Sequence, residues 1–357
     1  MRKIVISGGG TAGHINPALS IAYYLKKFDW EIHYIGNKSS LEERLVNTAG
    51  YPFHPINIQK LYRRFTFAHL KFPFKLISSI IRTYIIMKKL QPCLFLGTGG
   101  FVSGPAGFSA HLLKIPIFLQ EQNSFPGITT RLLAKWSENI FLGNINAKKY
   151  LPARNTQYTG NPIQPGIFNN NLTQNFRDYG LTEEKTKIFL LGGSQGSFVL
   201  NSNFALIVDK ILKSGLEIIW QTGKYSFAEF QQQFGDKKGV YVFDYTDNIA
   251  ALYGISKLVI ARAGALTLAE LETLKIPALL IPLPSAAANH QFYNAQELAE
   301  KGVAEIIEQK DLTPALLLEK IIMMIKNIEL YRKKFEDTPH RGSAAKIAET
   351  INNIFGG

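Results

Sequence analysis

The chain has 357 residues, a single cysteine (Cys93), and 40 Lys/Arg against 27 Asp/Glu, for a net charge of +13. That length suffices for two domains with cores of their own, and one cysteine excludes an internal disulfide and fits a reducing compartment. The apolar run after Met1-Arg2-Lys3 is too short for a signal peptide and no stretch has the length of a membrane span, so a cytoplasmic protein is expected.

The first stretch, Lys3 to Ile6, has β-forming character and runs into Ser7-Gly8-Gly9-Gly10-Thr11-Ala12-Gly13-His14, and the residues from Pro17 read as a helix. Strand, glycine turn and helix in this order are the opening of an α/β nucleotide-type fold. The glycines let backbone approach a ligand, and the helix N-terminus offers N–H groups to negative charge. Gly8, Gly10 and Gly13 have G-x-G-x-x-G spacing, but no acidic residue stands about twenty residues on at a strand end, which argues against a dinucleotide. His14 stands at the mouth of the turn, where an imidazole can reach a substrate hydroxyl. Further strands are expected at Glu31–Gly36, Cys93–Gly97 and Ile115–Asn123, with a helix through Leu41–Val46 between the first two. The second of these ends in another glycine turn, Thr98-Gly99-Gly100, and the third in a polar tail, Gln120–Asn123. Ligands bind parallel sheets outside the carboxyl ends of the strands, so His14, the Thr98–Ser103 turn and Asn123 are expected on one rim. A solvated loop is the alternative for Gln120–Asn123.

Charge is unevenly distributed. Residues 1–160 hold 20 Lys/Arg against 6 Asp/Glu, whereas residues 161–357 hold 20 against 21. No acidic residue occurs from Arg44 to Gln120, and Lys60 to Lys89 interleaves eight basic residues with Phe, Leu, Ile and Tyr. An anionic partner for the first half is implied. Three readings are open for the segment: a core-facing helix with solvated lysines, a surface that dips into an anionic bilayer, or single-stranded nucleic acid stacked on its aromatics. No compact nucleic-acid motif accompanies it. Arg63, Arg64, Lys71, Phe72, Lys75 and Arg82 are the candidates for membrane contact.

A Gly/Pro/Asn-rich linker, Tyr158–Gly166, separates the halves, with the domains expected at 1–160 and 161–340. Lys187–Leu191 then runs into Gly192-Gly193-Ser194-Gln195-Gly196-Ser197, a second strand–glycine turn–helix lacking the Gly-Lys-Ser/Thr of a P-loop. Strands are expected at Ile218–Gly223, Val240–Phe243, Leu258–Ala261 and Ala278–Pro284. A helix should start near Ala265 with Glu270 in its second turn, either as a surface residue or as a carboxylate holding a ribose diol. Polar-faced and terminal helices follow at Asn289–Ala295 and Ser343–Phe355. No His/Cys cluster or Asp-x-Asp has metal-ligand spacing, and no metal is expected.

Seven motifs in order carry a resemblance: Gly8–His14, Gly99–Pro105, Glu121–Asn123, Thr159–Pro162, Gly192–Gly196, Arg262–Glu270 and His290–Ala295. Together they resemble glycosyltransferase family 28, the N-acetylglucosaminyl transferases of peptidoglycan synthesis. The resemblance implies a glycosyltransferase-B fold, with two Rossmann-like domains facing across a cleft and the last helix, within 341–357, packing back on the first. It implies inverting, metal-independent transfer of N-acetylglucosamine from UDP-N-acetylglucosamine to the 4-hydroxyl of undecaprenyl-pyrophosphoryl-N-acetylmuramoyl-pentapeptide. The implied partners are those two substrates, the cytoplasmic face of an anionic membrane and other cell-wall synthesis enzymes, with no cofactor and no nucleic acid.

Carried over residue by residue, the resemblance makes His14 the base that takes the acceptor proton or else a contact to the acceptor diphosphate, and puts Gly9, Gly10, Gly99 and Gly100 at the acceptor diphosphate. It assigns the donor to Thr11, Gly13, Asn123, Ser194, Gln195, Tyr245, Thr246, Arg262, Leu266, Thr267, Glu270 and Gln291. Within that set Glu270 takes the ribose, Leu266, Thr267 and Ser194 the diphosphate, Thr246 beside Tyr245 the uracil, and Asn123 and Gln291 the sugar. Two positions depart from the family pattern: Ala12 stands where glycine is usual, and Gln164 where arginine is common. A residue with Cβ fits at 12 only with negative φ. The rival readings are a diacylglycerol glycosyltransferase of the same fold, a sugar-nucleotide epimerase, and a non-catalytic basic protein.

Overall fold

The computed structural model describes residues 2–59, 68–152, 155–168, 176–193, 195–246, 248–286 and 289–355, the side chains of 68–71 and Arg177 excepted. The chain divides into two units, Met1–Gln164 with Pro339–Gly357, and Pro165–Thr338. Each is built on one parallel sheet.

The first unit carries β1 (Arg2–Gly8), α1 (Ala12–Lys26), β2 (Trp30–Asn37), α2 (Leu41–Thr48), β3 (Phe53–Ile56), α3 (Ala68–Leu90), β4 (Leu94–Gly99), α4 (Ser103–Leu112), β5 (Ile117–Glu121), α5 (Ile128–Leu133), β6 (Asn139–Leu142) and β7 (Thr156–Tyr158). Its strands lie in the order β3-β2-β1-β4-β5-β6-β7. Alternate residues of the central strands serve opposite faces: Ile4 and Ile6 of β1 join one apolar cluster with Ala18 and Ile21, while Val5 joins another with Phe95 and Ala106. Burial on both faces is why these strands read as near-continuous apolar runs rather than alternating ones.

The second unit carries β8 (Lys187–Leu191), α6 (Phe198–Ala205), α7 (Val208–Lys213), β9 (Glu217–Gln221), α8 (Phe227–Phe234), β10 (Val240–Phe243), α9 (Ile249–Ile255), β11 (Ser256–Ala261), α10 (Ala265–Leu274), β12 (Ala278–Leu280), α11 (His290–Glu300), β13 (Ala304–Ile306), α12 (Pro314–Lys326) and α13 (Ile328–Arg332). Its order, β10-β9-β8-β11-β12-β13, repeats the topology of the first. The last helix, α14 (Ser343–Phe355), belongs to the first unit. Ile347, Ala348 and Ile351 enter the cluster around Ile4 and Ala18, and the Arg2 guanidinium donates to the Phe355 carbonyl and the Asn352 side chain.

The first unit keeps the linker as far as Gln164, beyond the expected boundary at 160, because that stretch is tied to the returning chain. The Asn161 N–H donates to His340 Nδ1 at 2.8 Å and the Ser343 hydroxyl to the Gly160 carbonyl at 2.7 Å. Four short strands were not legible in the pattern. β3 contains Pro55 and lies at the sheet edge, and β6, β7 and β13 have only three or four residues each. The expected strand at Ala278–Pro284 closes at Leu280, before Pro282 and Pro284, neither of which can donate to a ladder.

In both sheets the strand order reverses direction next to the first strand of the unit, between β1 and β4 and between β8 and β11. Loops leaving adjacent strands there go to opposite faces, and the gap is where open α/β sheets take ligands.

Candidate active site

In the first unit the reversal point is made by the first glycine turn and the turn after β4. Gly8 pairs with Gly99, and the Gly9 N–H donates to the Gly99 carbonyl at 3.3 Å. Thr98 Oγ1 donates to the His14 carbonyl at 2.8 Å, fixing the first turn of α1 against the end of β4. The His14 ring then packs on Gly99. That glycine has φ of 99°, and a Cβ on it would stand 2.9 Å from His14 Nδ1. His14 Nδ1 lies 3.0 Å from Gln122 Oε1, in the tail of β5. The structure therefore brings His14, the Thr98–Ser103 turn and the Gln120–Asn123 tail onto one rim. Ala12 opens α1 and is not among the residues with positive φ, so its methyl group is accommodated.

Two buried carboxylates shape this rim. Glu121 accepts from the N–H and the side-chain amide of Asn123, both at 3.1 Å, and from the Gly127 N–H at 3.2 Å, which holds the β5 tail in a folded loop rather than a solvated one. Glu42 accepts from the Asn37 N–H at 3.2 Å and the Gly10 N–H at 3.4 Å. The Gly9 and Gly10 amides are thus already engaged within the protein, whereas those of Thr11, Ala12 and Gly13 have no acceptor among the described residues. The start of α1 therefore offers N–H groups of the kind that suit an anion.

In the second unit the reversal point lies between the Gly192–Ser197 turn and the loop from Arg262 into α10. Ser197 caps α6 and also accepts from Arg262 at 2.7 Å. The same guanidinium donates to the carbonyls of Ile281 and Pro282 and to Gln309 Oε1, while its Nε–H is buried without a partner. All these acceptors are neutral, no carboxylate among the described residues pairs with it, and burial brings its pKa down to about 10. Helix α10 opens at Gly264 without a side-chain cap, placing its dipole and the amides of Leu266 and Thr267 beside this cation. Gly196, at φ of 82°, allows the turn to close on the Thr222 carbonyl, where a Cβ would clash.

Glu270 sits in the second turn of α10 and is buried, so the surface-residue reading is overturned. Its Oε2 accepts from the Tyr253 hydroxyl at 3.0 Å, and its Oε1 makes no hydrogen bond among the described residues. Burial raises its pKa to about 7, partly offset by that hydroxyl. Gln291 Oε1 accepts from the Leu283 N–H at 2.9 Å, tying α11 to the loop after β12. In the loop before α9, the Tyr245 N–H donates to Asp244 Oδ1 and Thr246 Oγ1 accepts from the Asn248 N–H.

Of the expected site residues, Gly9, Gly10, Thr11, Gly13, His14, Gly99, Gly100 and Asn123 gather in the first unit. Gln195, Tyr245, Thr246, Arg262, Leu266, Thr267, Glu270 and Gln291 belong to the second. Ser194, Arg63 and Arg64 lie outside the described residues, as does the Lys71 side chain. Phe72 and Lys75 are half-buried on α3, and the exposed Arg82 donates from Nε to the Pro55 carbonyl at 2.6 Å. Among the described residues no group of three His, Cys, Asp or Glu is placed to hold a metal ion, and no helix is long and apolar enough to cross a membrane. Sequence reasoning missed Glu42, Gln122, Tyr253 and Ser197 as site-building residues. The signal for Gln122 was present, since a polar run closing an apolar strand at a ligand-binding edge must be held by something.

Comparison with known proteins places these two crevices in a family. Residues 4–142 match the glycosyltransferase family 28 N-terminal domain and residues 187–351 its C-terminal domain. The UDP-N-acetylglucosamine--N-acetylmuramyl-(pentapeptide) pyrophosphoryl-undecaprenol N-acetylglucosamine transferase of Lactococcus lactis subsp. lactis is 36% identical over 93% of this chain and 92% of its own. The enzyme of the same name from Ruminiclostridium cellulolyticum is 34% identical over 99% of this chain and all of its own. The crystal structure of Acinetobacter baumannii MurG superimposes with a TM-score of 0.75 at 26% identity, covering 99% of this chain and 100% of that one. The chain, with its two Rossmann-like units of the glycosyltransferase-B class, belongs to glycosyltransferase family 28.

Proposed function

We propose that the protein transfers N-acetylglucosamine from UDP-N-acetylglucosamine to the 4-hydroxyl of undecaprenyl-pyrophosphoryl-N-acetylmuramoyl-pentapeptide, with inversion at the anomeric carbon. The observation that carries this is the crevice of the second unit, which offers the groups a nucleoside diphosphate requires. Arg262, with only neutral acceptors, and the uncapped start of α10 suit a diphosphate, and the second oxygen of Glu270 suits a ribose diol. Charge that develops on the departing UDP is met there by fixed dipoles and a cation, which need no reorganisation as the bond breaks.

The acceptor belongs to the first unit in this reading. Its hydroxyl attacks the anomeric carbon as the glycosidic oxygen leaves with UDP, and His14 takes the proton. General-base assistance of this kind contributes roughly 10²–10⁴ in rate. The start of α1 meets the acceptor diphosphate. Labelled UDP-N-acetylglucosamine with and without the lipid-linked acceptor, in EDTA, tests the proposal. Labelled lipid formed only with acceptor and undiminished by EDTA supports it, and conversion of the sugar nucleotide without acceptor would make the protein an epimerase instead.

A second element of the proposal is contact with the cytoplasmic face of an anionic membrane through α3. Phe74, Ile77, Ile81 and Ile85 are 77, 56, 55 and 60% exposed on one stripe, and Arg82, Lys88 and Lys89 are exposed beside them. The opposite face of the helix is the one that packs inward. Ser79, Thr83 and Met87 are buried, with the Thr83 and Ser109 hydroxyls 2.6 Å apart across α3 and α4. This favours the bilayer over the core-facing reading, because the isoleucines lie on the solvent side, where lipid chains can cover them while the cations meet headgroups.

A further inference from the structure

We propose that Gln122 is a positioning residue that fixes His14 as its Nδ1–H tautomer and so leaves Nε2 with the lone pair that accepts the proton; this rests on the reading of His14 as the base. The orientation of the Gln122 amide is determined by its other contacts. Its Nε2 lies 2.8 Å from the Thr98 carbonyl oxygen, which can only accept, and 2.5 Å from Gln120 Oε1. The reversed amide would set an oxygen against that carbonyl. With the nitrogen there, Oε1 is the atom that faces His14 Nδ1 at 3.0 Å, and an amide oxygen only accepts, so Nδ1 carries the hydrogen of the neutral ring.

The side-chain amide is held through its nitrogen by Thr98 and Gln120, and the main chain around the contact is tied down as well. Thr98 also donates its own hydroxyl to the His14 carbonyl, so one residue fixes both partners of the contact. The Gln122 carbonyl accepts from Asn161 Nδ2 at 3.1 Å, in the segment that leads out of the first unit. Gly99, having no Cβ, lets the ring lie close against the end of β4. A neutral imidazole left to itself prefers the hydrogen on Nε2, which would present the acceptor hydroxyl with a donor where the reaction needs a base. Holding the tautomer through the distal ring nitrogen is the task that outer partners of catalytic and metal-bound histidines perform generally.

The test reads the tautomer directly. Full-length protein labelled with ¹⁵N-histidine is observed by long-range ¹H–¹⁵N correlation at pH 8, with the His14 signals assigned by their loss in His14→Gln. The proposal expects hydrogen on Nδ1 in the unmodified protein and a shift toward Nε2 in Gln122→Leu. That variant should lose 10- to 100-fold in kcat, with donor affinity and acceptor KM changed less than about threefold. Gln122→Glu is the conservative variant. Its carboxylate, which only accepts, can take the hydrogen bond from Nδ1–H, so the tautomer should return to that of the unmodified protein and kcat should recover relative to Gln122→Leu. Hydrogen on Nε2 in the unmodified protein, or Gln122→Leu with tautomer or kcat unchanged, overturns the proposal. Turnover of His14→Ala near the unmodified rate would instead remove the base reading while leaving the tautomer result standing.

Discussion

Replacing Glu270 with glutamine should stabilise the unliganded protein and weaken its hold on the donor. The carboxyl is buried, its one described partner is the Tyr253 hydroxyl, and its pKa stands at about 7 against 4.5 unperturbed. The folded protein therefore holds this proton more tightly than the unfolded chain does. Stability that is present at pH 4.5 falls as pH rises toward 7 and stays reduced above it. At roughly 1.4 kcal/mol per pH unit the deficit reaches about 3 kcal/mol. Glutamine has the same shape, still accepts from Tyr253, and carries no charge to desolvate. The difference in unfolding free energy between variant and unmodified protein should be near zero at pH 4.5 and grow to about 3 kcal/mol at pH 8. For a unit of this size that is roughly 6–12 °C in Tm. Urea titrations at the two pH values measure it, since the other carboxylates cancel in the difference. Binding moves oppositely: losing the ionised partner of the ribose hydroxyls costs about 1.5–3 kcal/mol, seen by calorimetry with UDP-N-acetylglucosamine, whose diphosphate diester does not titrate in this range. A variant no more stable at pH 8, or one whose advantage does not shrink toward pH 4.5, would refute the reasoning.

Arg262→Met should weaken UDP binding by more than tenfold while uridine binding holds within about threefold, because the guanidinium is read as a diphosphate group; equal losses for both would give it a purely structural role. Ile77→Ser combined with Ile81→Ser should lower partition into anionic vesicles by about 100-fold, from about 1.5 kcal/mol per apolar side chain withdrawn, and should leave Tm unchanged because both residues are exposed. Partition unchanged in a flotation assay would remove α3 from the membrane contact. The unmodified protein should bind UDP-N-acetylglucosamine roughly tenfold more weakly at pH 6 than at pH 8, since Glu270 must lose its proton to accept the ribose hydroxyls; a flat profile would mean that the carboxylate does not take the ribose.

Where strands are central and buried on both faces, the sequence pattern locates them to within two residues, as with β8 and β9, because a run such as Ile188-Phe189-Leu190-Leu191 has no competing explanation. Both glycine turns announce themselves for the same reason, that backbone at the edge of a parallel sheet has few conformations available to residues with Cβ. The edge strand β3 gives no such signal; Phe53-His54-Pro55-Ile56 becomes a strand only because β2 lies beside it. Glu270 illustrates the other limit. Its place in α10 is legible, but its hydrogen bond from Tyr253 on α9 is a contact across elements that no local pattern encodes. The same is true of α3, whose sequence admits either face as the buried one until Thr83 meets Ser109. The Glu42 contact to Gly10 also joins elements far apart in the chain, and no local pattern encodes it.

The most direct test of the central claim, that the first unit supplies the base and the second holds the donor, is His14→Ala assayed for turnover and donor affinity on the same preparation. The account predicts UDP-N-acetylglucosamine affinity within about twofold of the unmodified protein and kcat lower by roughly 10²–10⁴. Turnover near the unmodified rate with donor binding intact would contradict it.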